Sequence, residues 1–176
     1  MVKGLIIPAE GTKPVEVREF SELADYQAAV GGWIEGVYMD PPGLMAYVNE
    51  NGIAERLEFN SRASSLWWLH VPQARQANGL VGDVVVVGPP DDDGDDLDLP
   101  GELLGRFTSS EPFAVLMQVD GVWYRHRNVN RDYWEAILWA VIKLGRVPEI
   151  EEVDVAPASE ADAYPFRPLP PIGTMY

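Results

Sequence analysis

Four consecutive valines, Val84 to Val87, constrain this chain more than any other feature. An uninterrupted β-branched run suits a strand buried on both faces. Gly82-Asp83 leads into it and Pro89-Pro90 stops it, because proline cannot donate to a ladder. Upstream, Lys3 to Pro8 and Pro14 to Phe20 read as two short strands, with Glu10-Gly11-Thr12-Lys13 as the turn of a hairpin. Trp33 to Met39 and Leu44 to Asn49 read as two more, joined by Asp40-Pro41-Pro42-Gly43. Asn51-Gly52 is a hairpin signal, so a return strand is predicted from about Ile53 to Phe59.

Helices fall between these strands. Ser21 is the expected N-cap of the first, and Leu23, Tyr26 and Val30 follow helical spacing, so they should face the core. Gly31-Gly32 ends that helix, since glycine tolerates the left-handed position. Asn60 or Ser61 caps a second helix through Trp67-Trp68. Further on, Phe113 to Val119 and Val122 to Arg127 form a hairpin on an Asp120-Gly121 type I′ turn. Its register pairs Met117 with Tyr124 and Val115 with His126 on one face. On the other it pairs Gln118 with Trp123, Leu116 with Arg125, and Ala114 with Arg127. Asn130 is the expected cap of a helix from Arg131 to Leu144, whose middle is apolar all round and needs cover on most sides. Trp139 in that middle is expected to be buried.

The fold class that follows is α+β, with a mainly antiparallel sheet and three or four helices. Residues 1–88 read as an α/β domain, 89–105 as an acidic loop, 106–148 as a hairpin plus apolar helix packed on the first part, and 149–176 as an acidic, Pro-rich tail. In that tail Tyr164, Phe166, Leu169, Ile172 and Tyr176 are the residues able to tie the end down, and Pro165 to Pro171 looks like a polyproline ligand.

Charge narrows the function. Of a net charge of −15, the segment Gln76–Gly105 carries eight acidic residues without a Lys or Arg. Val147–Tyr176 carries six more against Arg167 alone. Generic nucleic-acid binding is disfavoured, because phosphate contacts need a basic face. No cysteine is present, which removes disulfides, Cys-ligated zinc, iron–sulfur clusters and a Cys nucleophile. No secretory signal or membrane-spanning run is visible, so a soluble cytoplasmic protein is expected.

The order of Val30-Gly31-Gly32-Trp33-Ile34-Glu35, Asn49-Glu50-Asn51-Gly52, Asn60-Ser61-Arg62-Ala63 and Gly82-Asp83-Val84-Val85-Val86-Val87-Gly88 resembles the family called domain of unknown function 3846, found in phages, plasmids and actinobacterial genomes. The likeness covers residues 26–88, about a third of the chain. It implies a mobile-element origin and carries no activity, cofactor or catalytic residue.

Two surface clusters remain. Asp91, Asp92, Asp93, Asp95, Asp96 and Asp98 form an acidic run that fails the calcium loop: with Gly94 in the glycine position, Pro89 and Pro100 occupy positions one and twelve. It reads as a solvated loop or a docking surface for a basic partner, and no metal is assigned. Trp123, Arg125, Arg127 and Arg131 form the only positive cluster, which offers arginines, an aromatic plate and a following helix N-terminus to a phosphate or nucleotide. The competing reading pairs these arginines with the chain's own carboxylates. His126 is expected beside Val115 as a core histidine. No HExxH, P-loop or GxGxxG occurs, so a binding role is read ahead of an enzyme, and no cofactor is expected. The first functional expectation is a non-catalytic acidic binding protein of a phage or mobile element, engaging a host or self protein. The alternative is a small-ligand or nucleotide-binding domain using Arg125, Arg127 and Arg131.

Overall fold

A computed structural model describes residues 1–168. The chain divides into two compact units, Met1–Thr108 and Ser109 onward. Both are α+β and both sheets are antiparallel.

In unit 1, strands β1 (Val2–Ile7), β2 (Glu16–Phe20), β3 (Ile34–Met39), β4 (Leu44–Asn49) and β5 (Val84–Val87) form a five-stranded sheet in the order β2-β1-β5-β4-β3. The valine run is the central strand, and all four valines are buried. One face of the sheet presents Ile6, Phe20, Val85 and Val87 to Tyr26 and Val30 of helix α1 (Leu23–Val30). Side chains of this size contribute roughly 1.5–3 kcal/mol each when fully buried. The opposite face, with Leu5, Ile7, Ala46, Val84 and Val86, is buried as well. Helices α2 (Ser61–His70) and α3 (Gly101–Thr108) complete the unit.

The cap of α1 differs from expectation. Glu22, not Ser21, is the N-cap. Asp25 reaches back to accept from Ser21 N and Glu22 N at 2.7 and 3.1 Å, and those donors hold its carboxyl below the usual range. Leu23 is exposed rather than in the core. Gly31 ends the helix with φ of 77°.

The strand expected at Ile53–Phe59 does not form. Neither Asn51 nor Gly52 takes the positive φ that a type I′ turn requires. Asn49 Oδ1 instead accepts from Asn51 N, and Glu55 N and Leu57 N close local turns onto Asn51 O and Gly52 O. Only Phe59 keeps a ladder contact, a single bridge to Val81.

Unit 2 holds β6 (Phe113–Val119), β7 (Val122–Asn130) and β8 (Glu152–Pro157) in the order β7-β6-β8. Asp120 and Gly121 have φ of 51° and 73°, as the type I′ turn demands. The expected register holds from Val119↔Val122 to Leu116↔Arg125, and then a β-bulge shifts it so that Ala114 faces Val129. Val115–His126 and Ala114–Arg127 are therefore not cross-strand pairs. Helix α4 (Tyr133–Arg146) packs on β6 and β8, with Phe113 and Tyr133 edge to face at 5.6 Å. Its N-cap is Asp132, whose side chain accepts from Glu135 N, so the helix starts two residues later than expected and runs through Gly145. Trp139 is 42% exposed, so the helix has a solvent side.

Residues 149–168 are more than a tail. β8 pairs with β6 from Phe113↔Pro157 to Gln118↔Glu152. Alternating Val153 and Val155 are buried while Glu152 and Asp154 are not, a period of two within an acidic composition. Helix α5 (Ala158–Ala161) follows, and Ala161 and Tyr164 pack with Trp123 on the sheet face built from Ala114, Leu116 and Ala156. Leu169, Ile172 and Tyr176, and the end of the Pro165–Pro171 run, lie outside the described residues. Among the described residues no helix is long and apolar enough to cross a membrane.

Candidate functional site

The four sequence blocks serve the frame of unit 1. Asn60 is fully buried; its amide donates to Ile7 O and Gly82 O, both at 2.9 Å, and its Oδ1 accepts from Ala63 N. Asn49 donates to Gly31 O and Glu55 Oε2. A Cβ on Gly32 would lie 2.7 Å from Asn49 Nδ2, which explains the second glycine of the pair. Arg62 donates to Pro8 O, Lys13 O and Glu10 O, and Asp83 accepts from Ala9 N. Every block thus ties one loop's backbone to another, and none presents a reacting group.

The acidic run after β5 is ordered. Gly88 N donates to Leu97 O, Leu97 N to Pro89 O, and Pro90 bridges Asp96, so the segment doubles back on itself. Asp91 Oδ1 caps the tip by accepting from Asp93 N and Asp95 N, both at 2.9 Å. Asp98 Oδ1 accepts from Lys3 N, pinning the far end to β1. Asp92, Asp93 and Asp95 are exposed.

Asp96 turns inward. Tyr47 OH of β4 donates to Asp96 Oδ1 at 2.8 Å. Tyr26 of α1 lies edge to face with Tyr47 at 5.2 Å and stacks on Phe20 at 4.6 Å. Burial, and then the Asp96 carboxylate, push both phenols above their ordinary range. These groups line an open cleft of about 540 Å³, within the size range of ligand sites. Phe20, Leu23, Tyr26, Ile34 and Tyr47 line it with apolar surface; Glu22, Asp95 and Asp96 supply carboxylates, Met1 with its α-amino group also borders it, and among the described residues no Lys or Arg side chain does. A carboxylate has about four acceptor positions, and Tyr47 occupies one on Asp96. The cleft can accept a cation with an apolar stem. Sequence reading found Asp95 and Asp96 but missed Glu22, Phe20, Tyr26 and Tyr47. The available signal was the phenols, since a buried tyrosine needs an acceptor for its hydroxyl.

The basic cluster is not gathered into one site. Trp123 packs against the buried cluster of Ala114, Leu116, Ala156 and Ala161, as Tyr164 does. Arg125 N donates to Pro165 O, and its guanidinium lies 3.5 Å from Asp162. Arg127 is exposed beyond the bulge. Arg131 is 81% exposed and lies 3.3 Å from Asp132. Among the described residues no group of three or more His, Asp or Glu side chains is placed to hold a metal.

Neither the curated proteins nor the solved structures contain a match to this chain. One family model does match, from residue 2 to residue 110, far beyond the stretch 26–88 that carried the resemblance. That span includes the acidic run and its cleft, and it ends within two residues of the boundary between the units. The chain belongs to the family described as domain of unknown function (DUF3846).

Proposed function

We propose that this protein is a non-catalytic binding protein of a phage or mobile element that engages a basic host protein through the acidic aromatic cleft of unit 1. The observation that carries the reading is Asp96, which accepts from Tyr47 OH in a cleft lined by aromatic and aliphatic side chains together with Glu22 and Asp95. A lysine or arginine from a partner would lay its stem along Phe20, Leu23 and Ile34 and bring its charge to Asp96. Glu22 and Asp95 would steer it there and set the salt dependence. The mobile-element origin rests on the family resemblance.

The test is capture of a partner from host lysate at low salt, followed by titration calorimetry with the purified partner. Glu22→Gln with Asp95→Asn should weaken binding about tenfold or more, as loss of charged contacts of ordinary strength implies. Asp92→Asn with Asp93→Asn, away from the cleft, should change it little. Equal binding by the Glu22 and Asp95 variant, or binding indifferent to salt, would refute the reading.

A further inference from the structure

Unit 2 contains a second cleft with the opposite character. It measures about 80 Å³ and is lined by Val115, His126, Asn128, Asn130, Trp139 and Lys143. The volume is about the share of two or three liquid waters, so it suits one small polar group. Among the described residues no carboxylate lines it, in a chain where acidic residues outnumber basic ones by 28 to 13.

Lys143 is the notable member. The residue is only 9% exposed, its stem covered and its Nζ keeping some exposure, yet it makes no hydrogen bond or ion pair among the described residues. The Trp139 ring lies 5.7 Å from Nζ, a contact that offsets only part of the cost of desolvating an ammonium. Burial lowers its pKa. His126 of β7 lines the same cleft. Asn128 N donates to His126 Nδ1 at 3.1 Å, so the neutral imidazole carries its proton on Nε2 and can donate from there. Burial, and then the charge of Lys143, hold His126 below its ordinary pKa. Asn128 and Asn130 add amide groups; the Asn130 amide already donates to Phe113 O at 3.3 Å.

We propose that this cleft is a binding site for a small oxyanion, a carboxylate or a phosphate, held by Lys143 and His126 with Trp139 at its side. The inference is independent of the reading given for unit 1. An oxyanion would supply the charge that Lys143 lacks and would accept from ammonium and imidazole together. The expected arginine site and this one share strand β7, but the binding groups are His126 and Lys143 rather than Arg125, Arg127 and Arg131.

The experiment is thermal unfolding of the full chain in sodium phosphate, sodium acetate or sodium chloride at matched ionic strength. The parent is compared with Lys143→Met, which keeps the stem and removes the charge, and with His126→Gln. Phosphate and acetate also stabilise proteins by exclusion, an effect common to all three proteins. The readout is therefore the difference between parent and variant. The parent should gain an additional rise in Tm in phosphate or in acetate, and whichever acts identifies the oxyanion. Lys143→Met should lose that increment, and His126→Gln should weaken the apparent affinity about tenfold. No increment over chloride in the parent, or the same increment in Lys143→Met, would overturn the proposal. If Lys143→Met does not fold, an undiminished increment in His126→Gln overturns it equally.

Discussion

Asn60 in unit 1 and Lys143 in unit 2 are both buried polar side chains, and they are treated in opposite ways. Asn60 has three hydrogen bonds to backbone groups. Lys143 has none among the described residues and borders a cleft instead. A satisfied buried amide rigidifies and specifies a fold. An unsatisfied buried cation costs stability, and it persists where something else compensates. The difference separates residues that build the frame from residues available for binding, and net charge does not reveal it. Helix α2 holds intermediate cases: Ser65 Oγ, Trp68 Nε1 and His70 Nε2 are buried without partners among the described residues.

The largest effect should come from Asn60→Ala. It orphans Ile7 O, Gly82 O and Ala63 N at once, so a loss on the order of 3 kcal/mol in urea unfolding is expected. A loss below about 1 kcal/mol would break the claim that the family blocks are frame.

Next, two substitutions should differ in effect. Asp96→Ala removes the acceptor of the Tyr47 hydroxyl and should cost about 1–2 kcal/mol. Lys143→Met removes an unpaired, partly desolvated charge and should leave stability equal or raised by less than about 1 kcal/mol in a chloride buffer free of phosphate and carboxylates. If both destabilise, Lys143 has a structural partner and the contrast between the units fails.

The acid response sharpens the same contrast. Burial pushes His70 down to about 4, below the value of about 6.5 for an unfolded chain. The unfolded state therefore binds a proton between those values that the native state refuses. Stability should fall as pH drops from about 6.5 to 4 and gain nothing from this residue above that window. His70→Leu should flatten the fall in the urea midpoint over that range. An unchanged pH profile would mean that His70 titrates as if exposed.

The smallest effect is expected at the acidic tip. Asp92→Asn with Asp93→Asn should move stability by no more than about 0.5 kcal/mol, with any change upward, because exposed like charges repel weakly.

Much of this was legible in the sequence, and the misses have physical causes. The valine run, the flanking hairpins and the Asp120-Gly121 turn were readable because each depends on residues close in sequence. β8 was not, because its acidic composition hid the alternation of Val153 and Val155. The bulge in β7 has no local marker, and it replaced the expected pairs Val115–His126 and Ala114–Arg127. At the unit 1 cleft the acidic half was visible and the aromatic half was not, since Tyr26, Tyr47 and Asp96 meet only through the sheet. The burial of Lys143 was not legible either, since it depends on packing against β6 and β7.

The most direct single measurement is an amide chemical-shift titration of the labelled full chain, first with a short Arg-containing peptide and then with phosphate or acetate. The peptide should shift residues around Phe20, Tyr26, Tyr47 and Asp96 and leave β7 and α4 unchanged. The oxyanion should do the reverse, shifting His126, Asn128 and Lys143. Peptide-induced shifts spread over all the exposed carboxylates, without a focus on that cleft, would contradict a specific basic-partner site in unit 1.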